Sequence, residues 1–271
     1  MAGRSNGQSQ GIQSVEVAMR ALEALENLGG PAPLTGVANE AGMSPSTAHR
    51  YLVSLIRVGL VVQDVSTGWY DLGPAARRLG LEAMRRADDV GIATRYAAEL
   101  RNATGHAVNV TVWADNGPTI VRWEYGRHPL PIIARVGSTL PLVDSSVGRV
   151  FLAYMPTSIT QPVLETQQRY KESSALRDEE LSAIVRQVRA EGIAETQGAV
   201  LPGLRVLAAP VFGPGGLLAV VIASTVLARL ARPEVLASVA EHLRDATDRI
   251  SVELGGPTAA QWSALPEPAA D

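Results

Sequence analysis

From Ser44 to Arg57 two kinds of residue alternate at helical spacing. Ala48, Tyr51, Leu52 and Leu55 recur at i, i+3, i+4 and i+7, the pattern of a helix that buries one stripe. Ser46, Thr47, His49, Arg50, Val53 and Arg57 fall on the other side. Hydroxyls, an imidazole and guanidinium forks on one face are a row of hydrogen-bond donors. Such a face matches the acceptor-rich base edges and phosphates of duplex DNA, whose major groove admits an α-helix. No Asp or Glu occurs between Glu40 and Asp64, so this strip is locally positive although the formal net charge of the chain is -3. The same face would also serve a protein partner, or remain a solvated surface along which arginines lie on apolar neighbours.

The elements that must hold this face are legible around it. A polar tail over residues 1–11 reads as disordered, and residues 12–73 as a winged helix-turn-helix domain. Ser14 is placed to cap a first helix with Val15, Ala18, Met19, Leu22 and Leu25 on its apolar side, closed by Gly29, Gly30, Pro31 and Pro33. Thr35 is placed to cap a second, short helix, and Gly42-Met43 make a turn. Ser44 caps the third helix, with Pro45 in its first turn where a missing N–H costs nothing. Leu60 to Val62 and Trp69 to Leu72 then flank a turn at Asp64 to Gly68, a hairpin wing with Trp69 expected in its core. Thr35, Ser44, Ser46, Thr47, His49, Arg50, Arg57, Gln63 and Thr67 are the expected DNA-contacting set.

Residues 74–89 read as a linker helix bearing Arg77, Arg78, Arg85 and Arg86, with Asp88 and Asp89 opening a further helix to about Arg101. Residues 90–255 read as an α+β domain. Val108, Val110 and Val112 alternate, Asp115-Asn116-Gly117 turns, and Ile120, Val121 and Trp123 return. A strand is expected near Ile132 to Val136, helices at Ser146 to Tyr154 and Leu176 to Arg189, strands at Leu204 to Phe212 and Leu217 to Thr225, and a last helix from Pro233 to Leu254. The Gly/Pro/Ala-rich end, 256–271, reads as a disordered tail. Ser145, Ser146, Ser224, Thr225 and Asn109 lie where strands end or face inward, placed to orient a small ligand between apolar walls. Arg122 or Arg135 could meet a carboxylate, or each could be a surface arginine.

Several classes are disfavoured. With no cysteine and four scattered histidines the chain has neither a thiolate nucleophile nor a metal-ligand spacing. No GxSxG elbow, phosphate loop or dinucleotide fingerprint occurs, so no catalytic residues and no cofactor are expected. The longest apolar run, near Leu217 to Val226, is too short for a bilayer and no signal-peptide pattern opens the chain, which places it in the cytoplasm, at the nucleoid. An enzyme with an appended winged helix and a protein-interaction adaptor remain the alternative classes.

The sequence also resembles the IclR family of bacterial transcriptional regulators over about residues 12–254. Ser14-Val15-Glu16 resembles that family's opening helix, and Ser44 to Leu52 its recognition helix. Trp69-Tyr70-Asp71-Leu72-Gly73 resembles the exit from its wing. Gly148 to Ala153, Arg189 to Ala194 (with Ile193 at a usual Tyr position) and Pro202 to Phe212 resemble its C-terminal domain. The resemblance implies a GAF-like effector-binding domain, a homodimer or dimer of dimers on a pseudo-palindromic operator, and a small organic acid or aromatic metabolite as effector. It places pocket contacts near Leu140, Ser145, Pro210 and Ala223-Ser224-Thr225. Ala199 stands where many relatives have Glu, and Ala223 at the first place of a frequent Ser-x-Ser pair, which implies a more apolar pocket.

Overall fold

The computed structural model describes residues 12–264 apart from 87, 131–133, 171–177, 199 and 201. Two compact units divide the chain, Met1–Ala87 and Asp88–Asp271.

In the first unit, α1 (Gln13–Asn27), α2 (Leu34–Glu40) and α3 (Pro45–Arg57) enclose Ala21, Leu25, Val37, Leu52 and Leu55. Strands β1 (Val61–Gln63) and β2 (Tyr70–Leu72) pair antiparallel, and Ala32 adds an isolated bridge to β2 by exchanging both backbone hydrogen bonds with Tyr70 at 2.9 and 2.8 Å. Tyr70 and Val61 close the core from the wing side, both being buried. Helix α4 (Pro74–Arg86) follows.

The second unit opens with α5 (Asp89–Thr104), capped by the Asp88 carboxylate, which accepts the Gly91 N–H at 2.8 Å. Its sheet comprises β3 (Ala107–Ala114), β4 (Gly117–Glu124), β5 (Ala194–Gln197), β6 (Leu204–Phe212) and β7 (Leu218–Leu227). Among the described residues these form one antiparallel sheet in the order β4-β3-β7-β6-β5. On one face α5 and α9 (Pro233–Glu253) pack on Val108, Val110, Leu207, Ala209, Val220, Ile222 and Val226. Alternation along a strand sends the intervening residues to the other face. There α6 (Ser146–Tyr154) lies on Ala208, Phe212, Val221 and Ala223, backed by α7 (Thr157–Tyr170) and α8 (Asp178–Glu191). Arg189 of α8 donates from Nε to the Ala153 carbonyl at 2.7 Å, satisfying the C-terminal end of α6.

The architecture is a helix-turn-helix unit joined to a mixed α+β unit, and several local expectations need correction. Ile12 and Pro33, not Ser14 and Thr35, hold the cap positions of α1 and α2, and neither makes a side-chain cap. Proline's fixed φ sets the entry to α2 without a side-chain bond. Tyr51 is half-buried rather than core. Trp69 stands 45% exposed: Asp64 and Trp69 face each other across the wing turn on the side away from Tyr70. Helix α7 and strand β5 were not foreseen. The described part of the expected strand at Ile132 to Val136, residues 134–136, is loop, and the rest lies outside the described residues, as do the tail 1–11 and residues 265–271.

Residues 256–264, expected to trail off, fold back instead. Thr258 caps α10 (Ala259–Trp262) in a capping box with Gln261, and Asp248 accepts the Ala259 N–H at 2.9 Å. Trp262 stacks on Phe212 (centroids 5.5 Å, 12° between planes), meets Tyr154 edge-on at 4.7 Å, and donates from Nε1 to Gly216 at 2.9 Å. Burial of one large aromatic with a satisfied N–H outweighs the disorder-prone composition around it. Replacing Trp262 by Ala should cost about 2 kcal/mol, below the range for a fully buried tryptophan because the ring is half-exposed. Urea unfolding of the full chain followed by far-UV circular dichroism checks it, and an unchanged midpoint would contradict the clasp.

Candidate DNA-binding face and ligand cavity

On α3 the buried stripe is Ala48, Leu52 and Leu55. Ser44 Oγ accepts the Thr47 N–H at 3.2 Å and lies 3.1 Å from Ser46 Oγ and 2.9 Å from Thr47 Oγ1. Ser44 is therefore the helix's cap, and Thr47, half-buried, shares that network. Ser46, His49, Arg50 and Arg57 are exposed, and among the described residues neither arginine pairs with an acid. His49 Nδ1 sits 3.5 Å from the buried Tyr70 hydroxyl, which leaves its other ring nitrogen facing outward.

Thr35 is exposed within the first turn of α2. Gln63 and Thr67, expected to reach DNA, are engaged within the wing. The Gln63 amide donates to the Gly68 carbonyl at 2.9 Å, and Thr67 donates to Asp64 through its N–H at 2.8 Å and its hydroxyl at 3.1 Å. Ser66 adds its own N–H and hydroxyl to the same carboxylate. These donors hold the Asp64 carboxyl at about 2, below its ordinary 3.8, with the Ser66 hydroxyl the largest cause. A folded value below the unfolded one means the wing turn keeps this support above pH 4 and loses it as the pH falls toward 2.

In the second unit a cavity lies between the sheet face that carries Asn109 and the start of α6, enclosing about 550 Å3 of empty space including its mouth. Five of the expected ligand-contact residues line it: Asn109, Leu140, Ser145, Ser146 and Thr225. Three do not. Pro210 is buried on the same sheet face farther along β6, opposite Val221. Ala223 is fully buried beneath, between Asn109 and Ala208 in the ladder. Ser224 lies between Ile222 and Val226 and so faces α5 and α9, where its hydroxyl has no partner. Neither arginine reaches the cavity. Arg122 pairs with Val110 and so faces the opposite side from Trp123, donating to Val121 at 2.8 Å, and Arg135 is exposed. Trp123, Thr196, Val200, Leu204 and Val206 line it and were not singled out from the sequence. Their strands were partly visible; their common face required the register. Ala199 lies outside the described residues.

The wall at α6 is tightly built. Ser145 Oγ accepts the Gly148 N–H at 2.9 Å and donates to the Pro141 carbonyl at 2.6 Å. A Cβ at Gly148 would lie 2.3 Å from that same carbonyl oxygen, so only glycine fits. Ser145 is thus occupied in structure, whereas Ser146 Oγ and Trp123 Nε1 are buried with no hydrogen-bond partner. Among the described residues no cluster of three or more metal-ligating side chains occurs, and no helix is long and apolar enough to cross a membrane.

A three-helix unit with a hairpin wing and an outward row of donors, followed by an α+β unit, defines a DNA-binding transcriptional regulator. Comparison with known proteins gives the particular kind. The IclR helix-turn-helix domain model matches residues 14–65, and the model for the C-terminal part of bacterial transcriptional regulator IclR matches residues 82–252. The crystal structure of Pseudomonas aeruginosa HmgR is similar at 33% identity and a TM-score of 0.77, covering 90% of this chain and 99% of that one. The HTH-type transcriptional repressor AllR of Klebsiella pneumoniae is 25% identical over 91% of each chain. The glycerol operon regulatory protein of Streptomyces coelicolor is 26% identical over 91% of this chain and 98% of its own. The chain belongs to the IclR family of bacterial transcriptional regulators, and that membership makes it a DNA-binding oligomeric regulator and not an enzyme.

Two serines separate structural from idle hydroxyls. Ser145→Ala should destabilise the second unit by about 1 kcal/mol through loss of the cap. Ser224→Ala, which removes an unpartnered buried hydroxyl, should be neutral or slightly stabilising. Chemical unfolding of both variants checks the pair, and equal losses would overturn the assignment.

Proposed function

We propose that this regulator reads a pseudo-palindromic operator through α3 and answers to a small-molecule effector held in the cavity beneath α6. The observation that carries the DNA reading is the outward row Ser46, His49, Arg50 and Arg57 on a helix anchored by Ala48, Leu52 and Leu55. Arg50 is the residue placed to donate to a guanine edge, Ser46 and His49 to bases or phosphate, and Arg57 to phosphate. Thr47 and Ser44 set the helix start, Thr35 is exposed on α2 for a phosphate contact, and Gln63 and Thr67 shape the wing that flanks α3. Two such helices in a homodimer would enter successive major grooves, and a dimer of dimers would span two such sites.

The second unit we read as a GAF-like effector domain: an antiparallel sheet whose one face carries packed helices and whose other holds the ligand cavity. Asn109, Ser146 and Thr225 are its polar contacts and Leu140 part of its apolar wall. Relatives named as a repressor and as a glycerol operon regulator support control of a metabolic operon in the cytoplasm, at the nucleoid. Coupling between the sites requires that the effector bind two conformations with different affinity.

Operator sequences selected from random duplexes by the purified full-length protein provide the test. A two-fold symmetric consensus is expected. On it, Arg50→Ala should lose about 1–3 kcal/mol of binding with the fold intact. Neutralising both Arg77 and Arg78, which are exposed on α4, should lower the salt dependence more than the sequence preference. Unchanged affinity for Arg50→Ala at fixed salt would remove α3 as the reading element.

A further inference from the structure

Among the described residues, two that line the cavity beneath α6 carry a buried polar atom without a hydrogen-bond partner. Trp123 Nε1, from β4, and Ser146 Oγ, from the first turn of α6, are buried and without hydrogen-bond partners. An indole N–H is a donor only, so whatever satisfies Trp123 must present an acceptor. A ligand oxygen placed there would supply the acceptor that the protein does not. Ser146 is fully buried at the N-terminal end of a nine-residue helix. Its neighbour Ser145 has both roles of its hydroxyl occupied by Pro141 and Gly148.

Charge narrows the class further. Among the described lining residues none is ionisable; the polar ones are Asn109, Ser145, Ser146, Thr196 and Thr225, with the Trp123 N–H. Asn109 already accepts the Thr111 hydroxyl at 3.0 Å. The fixed positive field that remains is the start of α6, equivalent to about half an elementary charge. One carboxylate can be held there; a second, buried without a counter-cation, is strongly disfavoured. The rest of the wall is apolar, including Ile120, Leu140, Val147, Leu204 and Val206.

We infer that this cavity selects a small, largely apolar ligand that carries acceptor oxygens and at most one negative charge, with Trp123 Nε1 and Ser146 Oγ as its donors. The inference rests on the cavity being the effector site, and goes beyond it by naming the chemistry admitted and the two residues that select it.

Four one-ring probes test it by calorimetry on the full-length protein: methyl benzoate (neutral acceptor), benzoate (one charge), phthalate (two charges) and toluene (no acceptor). Methyl benzoate and benzoate should bind at least about tenfold tighter than phthalate and toluene. Trp123→Phe, which keeps the ring and removes the donor, should bring methyl benzoate to the level of toluene, and Ser146→Ala should weaken both acceptor-bearing probes. Val206→Trp fills the cavity and should abolish all binding; Thr196→Phe does the same from β5 should the first variant fail to fold. Binding that survives filling means the cavity is not the site, and both readings fall. Binding lost on filling but indifferent to Trp123→Phe and Ser146→Ala leaves the cavity standing and overturns the donor assignment. Tightest binding by phthalate, parity between toluene and methyl benzoate, or binding by none of the four each overturns the ligand class.

Discussion

The second unit depends on one close approach. Gly148, in the first turn of α6, lets the Pro141–Leu142 backbone press against the helix where any side chain would collide. Once there, the loop is fastened from every side. Leu140 donates its N–H to Pro118 in β4, Leu142 donates to the Gln167 side chain on α7, and Arg149 donates from Nε to Val143. Burial depresses the basicity of Arg149, so its carbonyl partner matters to a charge held half out of water. The outcome is a wall whose shape is decided by backbone contact, with Leu140, Ser145 and Ser146 projecting from it into the cavity.

The first unit achieves definition differently. Its core is small and rich in alanine, with Ala21, Ala24, Ala38 and Ala48 fully or almost fully buried, so helices approach closely and few large side chains fix the arrangement. Tyr70 compensates by tying three elements: its backbone pairs with Ala32, its ring fills the core and its hydroxyl lies near His49 on α3. Polar groups divide their labour. The wing turn consumes its own donors on Asp64, whereas α3 leaves the guanidinium groups of Arg50 and Arg57 outward. A surface that keeps donors unused is poised for a partner rich in acceptors.

What the sequence could disclose follows from contrast between faces. Helix α3 was readable in position, cap and exposed row because apolar and polar residues alternate at one period. Strand β7 was readable only as a strand. From Val220 to Leu227 every residue is buried, since helices cover both sides of the sheet, so hydropathy carries no period that could separate Thr225, in the cavity, from Ser224, against α5 and α9. Only the register with β3 decides it. Helix α7 was hidden by Pro162 and a run of glutamines, and α10 by the Gly, Pro and Ala around Trp262. Trp123 looked like an ordinary strand aromatic, because an unanswered N–H is a property of surroundings and not of residue type.

Among the described residues, the three buried polar atoms without partners therefore have two different physical meanings. Ser224 faces α5 and α9, away from the cavity, so nothing bound in the cavity reaches its hydroxyl. Ser146 and Trp123 line the cavity, so a molecule bound there can answer them. A ligand that answers both would join β4 to the first turn of α6 through itself, adding a connection between two walls that already touch. Occupancy then changes the relative stability of arrangements in which those walls lie closer or farther apart, and a difference in stability between conformations is what a regulator must obtain from its effector. A fully satisfied, fully packed domain would be more stable and would have nothing left for a metabolite to change.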